Sequence, residues 1–342
     1  MIHAHVLDAW THPSQRSTPA FHKLNMLAGQ AAPLFLWLAG VAIVLNGDRL
    51  LERRVARRAA MQALVARGLE IFILAFVFRV IMFLFNPGGS AISIFRVDIL
   101  NIMGPALVAA ALVWASATSP RARVLLFGAL AAAVSMCTPV VRLASWADAI
   151  PLWLQWYVRP AGEHTVFTLF PWAGFVFAGS AVGAVLATAR AGDERRRQIA
   201  VGACGLGLMA IGFYTAGLPT IYRQSSFWTS SPTYFAIRVG LLMAVTTAVY
   251  LLAVPLAARG VCLVPLQRLG RASLFVYLVH IPIVYGWMTR SFRSHLPVWQ
   301  TMCAFAAFSI AIYALVPLRD RLVATWLSRD LSDGTGPASV QA

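Results

Sequence analysis

The chain has 342 residues, 59% hydrophobic and 12% charged, with a mean hydropathy of +0.72. A soluble domain carries about twice that charged fraction, so a cytosolic enzyme, a disordered protein and a secreted disulfide scaffold are excluded. The formal net charge is +16, but no soluble basic domain exists to bind nucleic acid, and nucleic acid is not an expected partner. Lys23 is the single lysine; the basic residues are arginines that orient helices in a bilayer. Cys137, Cys204, Cys262 and Cys303 lie apart, with no C-x-x-C pair. They imply neither a metal site nor a disulfide framework and read as small core residues.

In chain order, Met1–Trp10 is too short for a span but resembles the outer end of one, without the basic start or cleavage site of a signal peptide. The expectation is that Met1 stands inside a first transmembrane helix and that a longer chain would have ten spans. Nine apolar segments follow, at about 28–46, 69–86, 97–116, 124–143, 166–189, 199–218, 234–257, 272–288 and 298–318. Several reach the roughly 18 residues needed to cross hydrocarbon as a helix. Stretch 47–68 mixes Arg49, Arg53, Arg54, Arg57, Arg58 and Arg67 with Leu50, Leu51, Val55, Met61, Leu64 and Val65. It suggests a basic amphipathic helix at the inner surface, lying on anionic headgroups or docking a phosphorylated donor through Arg53, Arg54, Arg57 and Arg58. Residues 144–165 carry Trp146, Trp153 and Trp156, an interfacial pattern that can also roof a cavity. From Asp330 the tail is polar and rich in Gly and Pro, and reads as disordered.

The predicted fold is an all-α polytopic transmembrane helical bundle, nine full spans plus a truncated first helix. It comprises one domain over 1–329 and a cytoplasmic tail over 330–342. The connecting loops alternate in charge. Those at 47–68, 117–123, 190–198 and 258–271, with the tail, hold eighteen arginines; the opposite set holds seven Lys+Arg. By the positive-inside rule the first set and the C-terminus are cytoplasmic. An arginine-rich, lysine-poor chain of this kind looks bacterial, which places it in the inner membrane among lipids, with homodimerisation left open.

An ionisable side chain within a span is costly unless it is paired or faces a wet cavity. The candidates are His5 and Asp8, Glu70 and Arg79, Arg96 and Asp98, Arg142, Arg238 and His280. Glu70 and Arg79 face opposite sides of one helix, so each needs a partner on another helix. His5 and Asp8, three residues apart, share a helix face; the carboxylate can orient the imidazole for general-base work. His280 lies near mid-membrane, either in a helix–helix hydrogen bond or against a substrate. Arg96 and Asp98 open the third segment, where they cap it or bind an acceptor. Arg79 or Arg238 can stabilise an oxyanion.

The run His5-Val6-Leu7-Asp8-Ala9-Trp10-Thr11, followed by Ala32–Gly40, resembles the opening of bacterial proteins related to the catalytic domain of heparan-α-glucosaminide N-acetyltransferase. Arg96–Gly104, Phe170-Pro171-Trp172-Ala173-Gly174 and Ser273–His280 extend the likeness along nearly the whole chain. The late segment also resembles the wider group of integral-membrane sugar acyltransferases. The resemblance implies acyl transfer across the membrane, from cytoplasmic acetyl-CoA or another acyl-CoA to an extracytoplasmic sugar or glycan amine or hydroxyl. It places the catalytic histidine at His5 with Asp8 beside it, and the late histidine at His280; no metal is implied. The chain lacks the Arg-Gly-containing first half of helix one found in the family. Two other classes stay open: a permease with Arg79, Asp98 and His280 along its pathway, and a non-catalytic membrane partner in an envelope assembly.

Overall fold

A computed structural model describes residues 1–84, 90–189 and 192–332. The described helices are α1 (Ile2–Trp10), α2 (Pro19–Ala28), α3 (Ala31–Glu52), α4 (Arg57–Leu84), α5 (Ile99–Ser116), α6 (Pro120–Leu143), α7 (Leu152–Val158), α8 (Leu169–Ala187), α9 (Glu194–Ala216), α10 (Pro232–Ala258), α11 (Val264–Arg271), α12 (Ser273–Tyr285) and α13 (Val298–Ser332). The only strand-like pairings among the described residues are isolated bridges. Each of the nine predicted apolar segments holds a described helix, and seven stretches are long and apolar enough to cross a membrane: Pro19–Glu52, α5, α6, α8, α9, α10 and the Val298–Leu322 part of α13; α4 and the 13-residue α12 are not among them. The protein is an all-α, multi-pass membrane protein. Of the expected tail, 330–332 continue α13 as helix; 333–342, like the segment end 85–86 and the loop positions 87–89, 190 and 191, lie outside the described residues.

The described helices form two compact units. One joins Met1–Ala28 to the chain from Gly260 onward; the other is Gly29–Arg259. In the larger unit α3 lies along α8, α4 along α5, α6 along α8 and α9 along α10. The centre is held by α5 and α8, each with eleven buried residues. The α3–α8 seam is closed by small residues. A Cβ on Gly179 would stand 2.1 Å from the Trp37 carbonyl oxygen, and one on Gly40 would stand 2.0 Å from that of Val176. Ser180 Oγ donates to the Gly40 carbonyl at 3.1 Å. Backbones come this close in a membrane because packing, not the hydrophobic effect, joins apolar helices in lipid.

Helix ends in this unit are tied by side chains. Ser119 Oγ accepts the Ala122 N–H (3.1 Å) at the start of α6, and Ser231 Oγ accepts the Thr233 N–H (3.2 Å) at the start of α10; Pro120 and Pro232 follow these caps. At the C-terminal end of α5, Arg57 Nη1 donates to the carbonyls of Trp114, Ala115 and Ala117, and Arg123 Nε to that of Ala117. Asp48 Oδ1 accepts from Arg123 Nη1 (2.5 Å) and from the Trp114 indole (3.0 Å), and both arginines lie over the Trp114 ring. This knot joins α3, α4, α5 and α6.

No separate interfacial helix covers 47–68: α3 runs to Glu52, the chain turns through Arg54 at φ +62°, and α4 begins at Arg57. The amphipathic pattern arises because Ala60 and Leu64 are buried, while Gly47 abuts Trp114. Glu70 pairs on its own helix, with Arg67 three residues away at 3.0 Å, rather than across helices. The four cysteines are free and exposed, not core residues. Trp146 and Trp153 are exposed as an interfacial belt requires, but Trp156 is buried against Val97 and Ile102.

Two stability outcomes follow. Gly179→Ala forces α3 and α8 apart and costs about 2 kcal/mol, lowering the thermal midpoint in detergent, whereas Gly128→Ala, whose Cβ meets open space, leaves it unchanged. Asp48→Ala leaves the buried Arg123 without its carboxylate and costs about 3 kcal/mol; adding Arg123→Met to that variant recovers part of the loss.

Candidate functional site

The smaller unit positions the histidines. The loop after α12 docks on the end of α1: Ser294 N–H donates to the Ala9 carbonyl (2.9 Å), Leu296 N–H to that of Trp10 (3.0 Å), and His12 N–H to that of Leu296 (2.8 Å). Two of the α1 carbonyls that a helix end would leave bare, those of Ala9 and Trp10, are thereby satisfied. Trp10, fully buried, donates its indole N–H to the Val284 carbonyl at 3.2 Å. At the end of α12, Thr289 Oγ1 donates to the carbonyls of Ile283 and Val284, and Arg293 to that of Tyr285. The C-terminal turn of α12 is thus fixed against α1.

Three side chains meet across that contact. Tyr285 donates its hydroxyl proton to Asp8 Oδ2 at 2.7 Å, and the same oxygen lies 3.2 Å from His5 Nδ1. A phenol has one proton to give. With that O–H directed at Asp8, the phenol oxygen accepts from His5, so Nδ1 carries the imidazole proton and Nε2 carries the lone pair. Asp8 and His5 do share a face of α1, but they do not pair directly as the sequence spacing suggests; Tyr285 stands between them. The Asp8 backbone carbonyl accepts from Arg16 at 2.6 Å.

His280 is fully buried one ring away, its centroid 5.2 Å from that of His5. Its Nδ1 is 2.5 Å from the Val276 carbonyl, which can only accept, so this ring also carries its proton on Nδ1. Among the described residues its Nε2 has no hydrogen-bond partner. Of the two alternatives left open for His280, a hydrogen bond between helices is not what the structure shows: the bond is to its own helix. The site therefore holds two adjacent imidazoles, each with Nδ1 tied and the lone pair left on Nε2, the nitrogen that can take a proton from a substrate.

The other predicted residues lie in the larger unit. Arg79 forms an ion pair with Asp98, and Asn101, three residues on, accepts the Asp98 N–H at 3.0 Å at the start of α5. Asp98 is thus both the N-cap residue of α5 and the partner of Arg79, within reach of the positive charge of Arg96. Arg238, on α10, donates to the Gly29 carbonyl at 2.5 Å and lies over Tyr234 and Trp172. Arg53 and Arg54 sit in the α3–α4 turn, and Arg58 in the first turn of α4. Arg57 is spent on the α5 carbonyls. Sequence reading missed Tyr285; its signal was an aromatic hydroxyl in an apolar run five residues after His280. Among the described residues no cluster of His, Cys, Asp and Glu could hold a metal ion.

No curated protein matches the chain significantly. A family model described as an acyltransferase domain matches residues 1–318. That match carries the broad acyltransferase assignment and does not extend to the narrower N-acetyltransferase likeness of the motifs. With an imidazole pair inside an apolar helical chain and the match spanning nearly all of it, the protein belongs to the integral-membrane acyltransferase-domain family.

Proposed function

We propose that the chain moves an acyl group, acetyl first among the choices, from cytoplasmic acyl-CoA to an amine or hydroxyl of an extracytoplasmic sugar, with His5 as general base or transient acyl carrier. The observation that carries the reading is the Asp8–Tyr285–His5 relay in a chain of the acyltransferase family. The sugar acceptor follows the motif likeness to the heparan-α-glucosaminide N-acetyltransferase relatives; the family match speaks only for acyl transfer.

The chemistry follows from the protonation pattern. In the direct route, His5 Nε2 takes the acceptor's proton as its nitrogen or oxygen attacks the thioester carbonyl, and the carbon–sulfur bond breaks to release CoA thiolate. In the covalent route, Nε2 attacks first, CoA leaves, and the acceptor then attacks the acyl-imidazole. Either way a positive imidazole forms transiently, and Asp8 stabilises it through the Tyr285 hydroxyl. In the direct route His5 Nε2 passes the acceptor's proton to the CoA thiolate; in the covalent route, where His5 Nε2 holds the acyl group, the lone pair of His280 Nε2 takes the acceptor's proton and passes it to the thiolate. The arginine-rich loops serve as the donor side, through Arg53, Arg54 and Arg58. The C-terminus then lies in the cytoplasm of a bacterial cell, with the protein in its inner membrane.

The test uses purified protein in detergent micelles with labelled acetyl-CoA and a soluble amino sugar. Wild type transfers label to the sugar. His5→Ala abolishes transfer while expression and thermal midpoint stay near wild type, and Tyr285→Phe lowers kcat about 100-fold with little change in the donor KM. Full activity of His5→Ala overturns the proposal.

A further inference from the structure

The end of the larger unit opposite its own arginine-rich segments at 47–68 and 117–123 contains a cavity of about 200 Å³. It lies between the C-terminal end of α6, the first turns of α8 and α10, and the loop before α10. At ~30 Å³ per water molecule it has room for roughly seven waters, the scale of one sugar ring. Arg142 and Arg238 line it together with Trp172, Trp228 and Tyr234.

Neither arginine has a carboxylate partner among the described residues, whereas Arg79, Arg123 and Arg159 each have one. Arg142 Nη2 reaches only Thr168 Oγ1 (3.4 Å) and the Phe170 carbonyl (3.2 Å), and Arg238 Nη2 reaches the Gly29 carbonyl. The Nε of each is shut away from the cavity without a partner among the described residues, as is that of the paired Arg79, so the terminal nitrogens are the donors left to a ligand. Two guanidinium groups held by neutral acceptors in an apolar wall are expensive, and their free N–H donors match a carboxylate or phosphate. A bare anion has no use for the surrounding rings. Trp172 and Tyr234 already lie under Arg238, and Trp228, 66% exposed, stands edge-on to Tyr234 at the rim. Flat apolar walls with a few placed polar groups are what a small ring-shaped ligand needs.

We propose that this cavity binds an anionic sugar, its carboxylate or phosphate held by Arg142 and Arg238 and its ring laid against Trp172, Trp228 and Tyr234. Identifying this sugar with the acyl acceptor rests on the acyltransferase reading; the binding itself does not.

The experiment is calorimetric titration of the full chain in phosphatidylcholine nanodiscs, with no acyl donor present. The probes are glucuronate, glucose 6-phosphate, glucose, acetate and inorganic phosphate. Glucuronate or glucose 6-phosphate, according to which anion the site accepts, binds at least about tenfold tighter than glucose and than the corresponding bare anion. Arg142→Gln and Arg238→Gln each weaken that binding about tenfold. Trp228→Ala, at an exposed loop position that can change without unsettling the fold, weakens it as well. Glucose binding as tightly as the anionic sugars overturns the proposal. So does unchanged affinity in both Arg142→Gln and Trp228→Ala, or loss of all sugar binding when phosphatidylglycerol replaces part of the phosphatidylcholine, which would make the cavity a lipid-headgroup site. A chain that binds the anionic sugar yet transfers no label keeps this site and loses only the acyltransferase reading.

Discussion

A phenolic hydroxyl can give away one proton, and the chemistry proposed for this chain depends on where Tyr285 gives its own. Because it goes to Asp8, the oxygen is left as an acceptor toward His5, and the imidazole is held with its proton on Nδ1. The basic nitrogen is then the other one. A carboxylate bonded straight to the ring would do the same work, but the hydroxyl lets the negative charge sit one group farther away. Asp8 is exposed while His5 is half-buried, so the charge keeps its contact with solvent and the base stays in a drier setting. Burying the carboxylate as well would add several kcal/mol of desolvation.

The rest of the molecule treats polarity by the same economy. An arginine in an apolar helical chain is tolerated where something answers it. Asp48 answers Arg123 and, through the Trp114 indole, anchors the end of α5; Asp98 answers Arg79 where α5 begins. The most buried helix pair, α5 and α8, is therefore pinned by charge at the ends of α5 and by small residues along α8. Glycine at 179 and 40 lets the α3 and α8 backbones meet where any side chain would collide with a carbonyl oxygen. Rigid placement of helices comes from these few contacts rather than from apolar area, because lipid competes equally well for apolar surface.

How much of this could be read from the sequence depended on the length scale of each signal. The helices were legible, since an apolar run of membrane length has few other uses. The register of 47–68 was not: the ends of two packed helices joined by a turn produce the same mixture of leucine and arginine as a helix lying on a membrane. Only the inward turn of Arg57 and the positive φ of Arg54 separate the two. The cysteines misled because apolar surroundings in sequence mean lipid as readily as core. At the site, spacing placed His5 and Asp8 on one face, a local property of a helix. The group that links them lies 277 residues from Asp8, where no periodicity could point to it. The partner of Arg79 was hidden in the same way, by the loop that separates α4 from α5.

The most direct measurement of the central claim is nitrogen NMR of histidine-labelled protein in detergent, with the His5 signals assigned by their loss in His5→Gln. The account predicts a neutral His5 ring with a protonated Nδ1 and an unprotonated Nε2, and a redistribution between the two tautomers when Tyr285 becomes phenylalanine. A His5 ring that carries its proton on Nε2 in the wild-type chain, or one whose tautomer is indifferent to the Tyr285 hydroxyl, would contradict it.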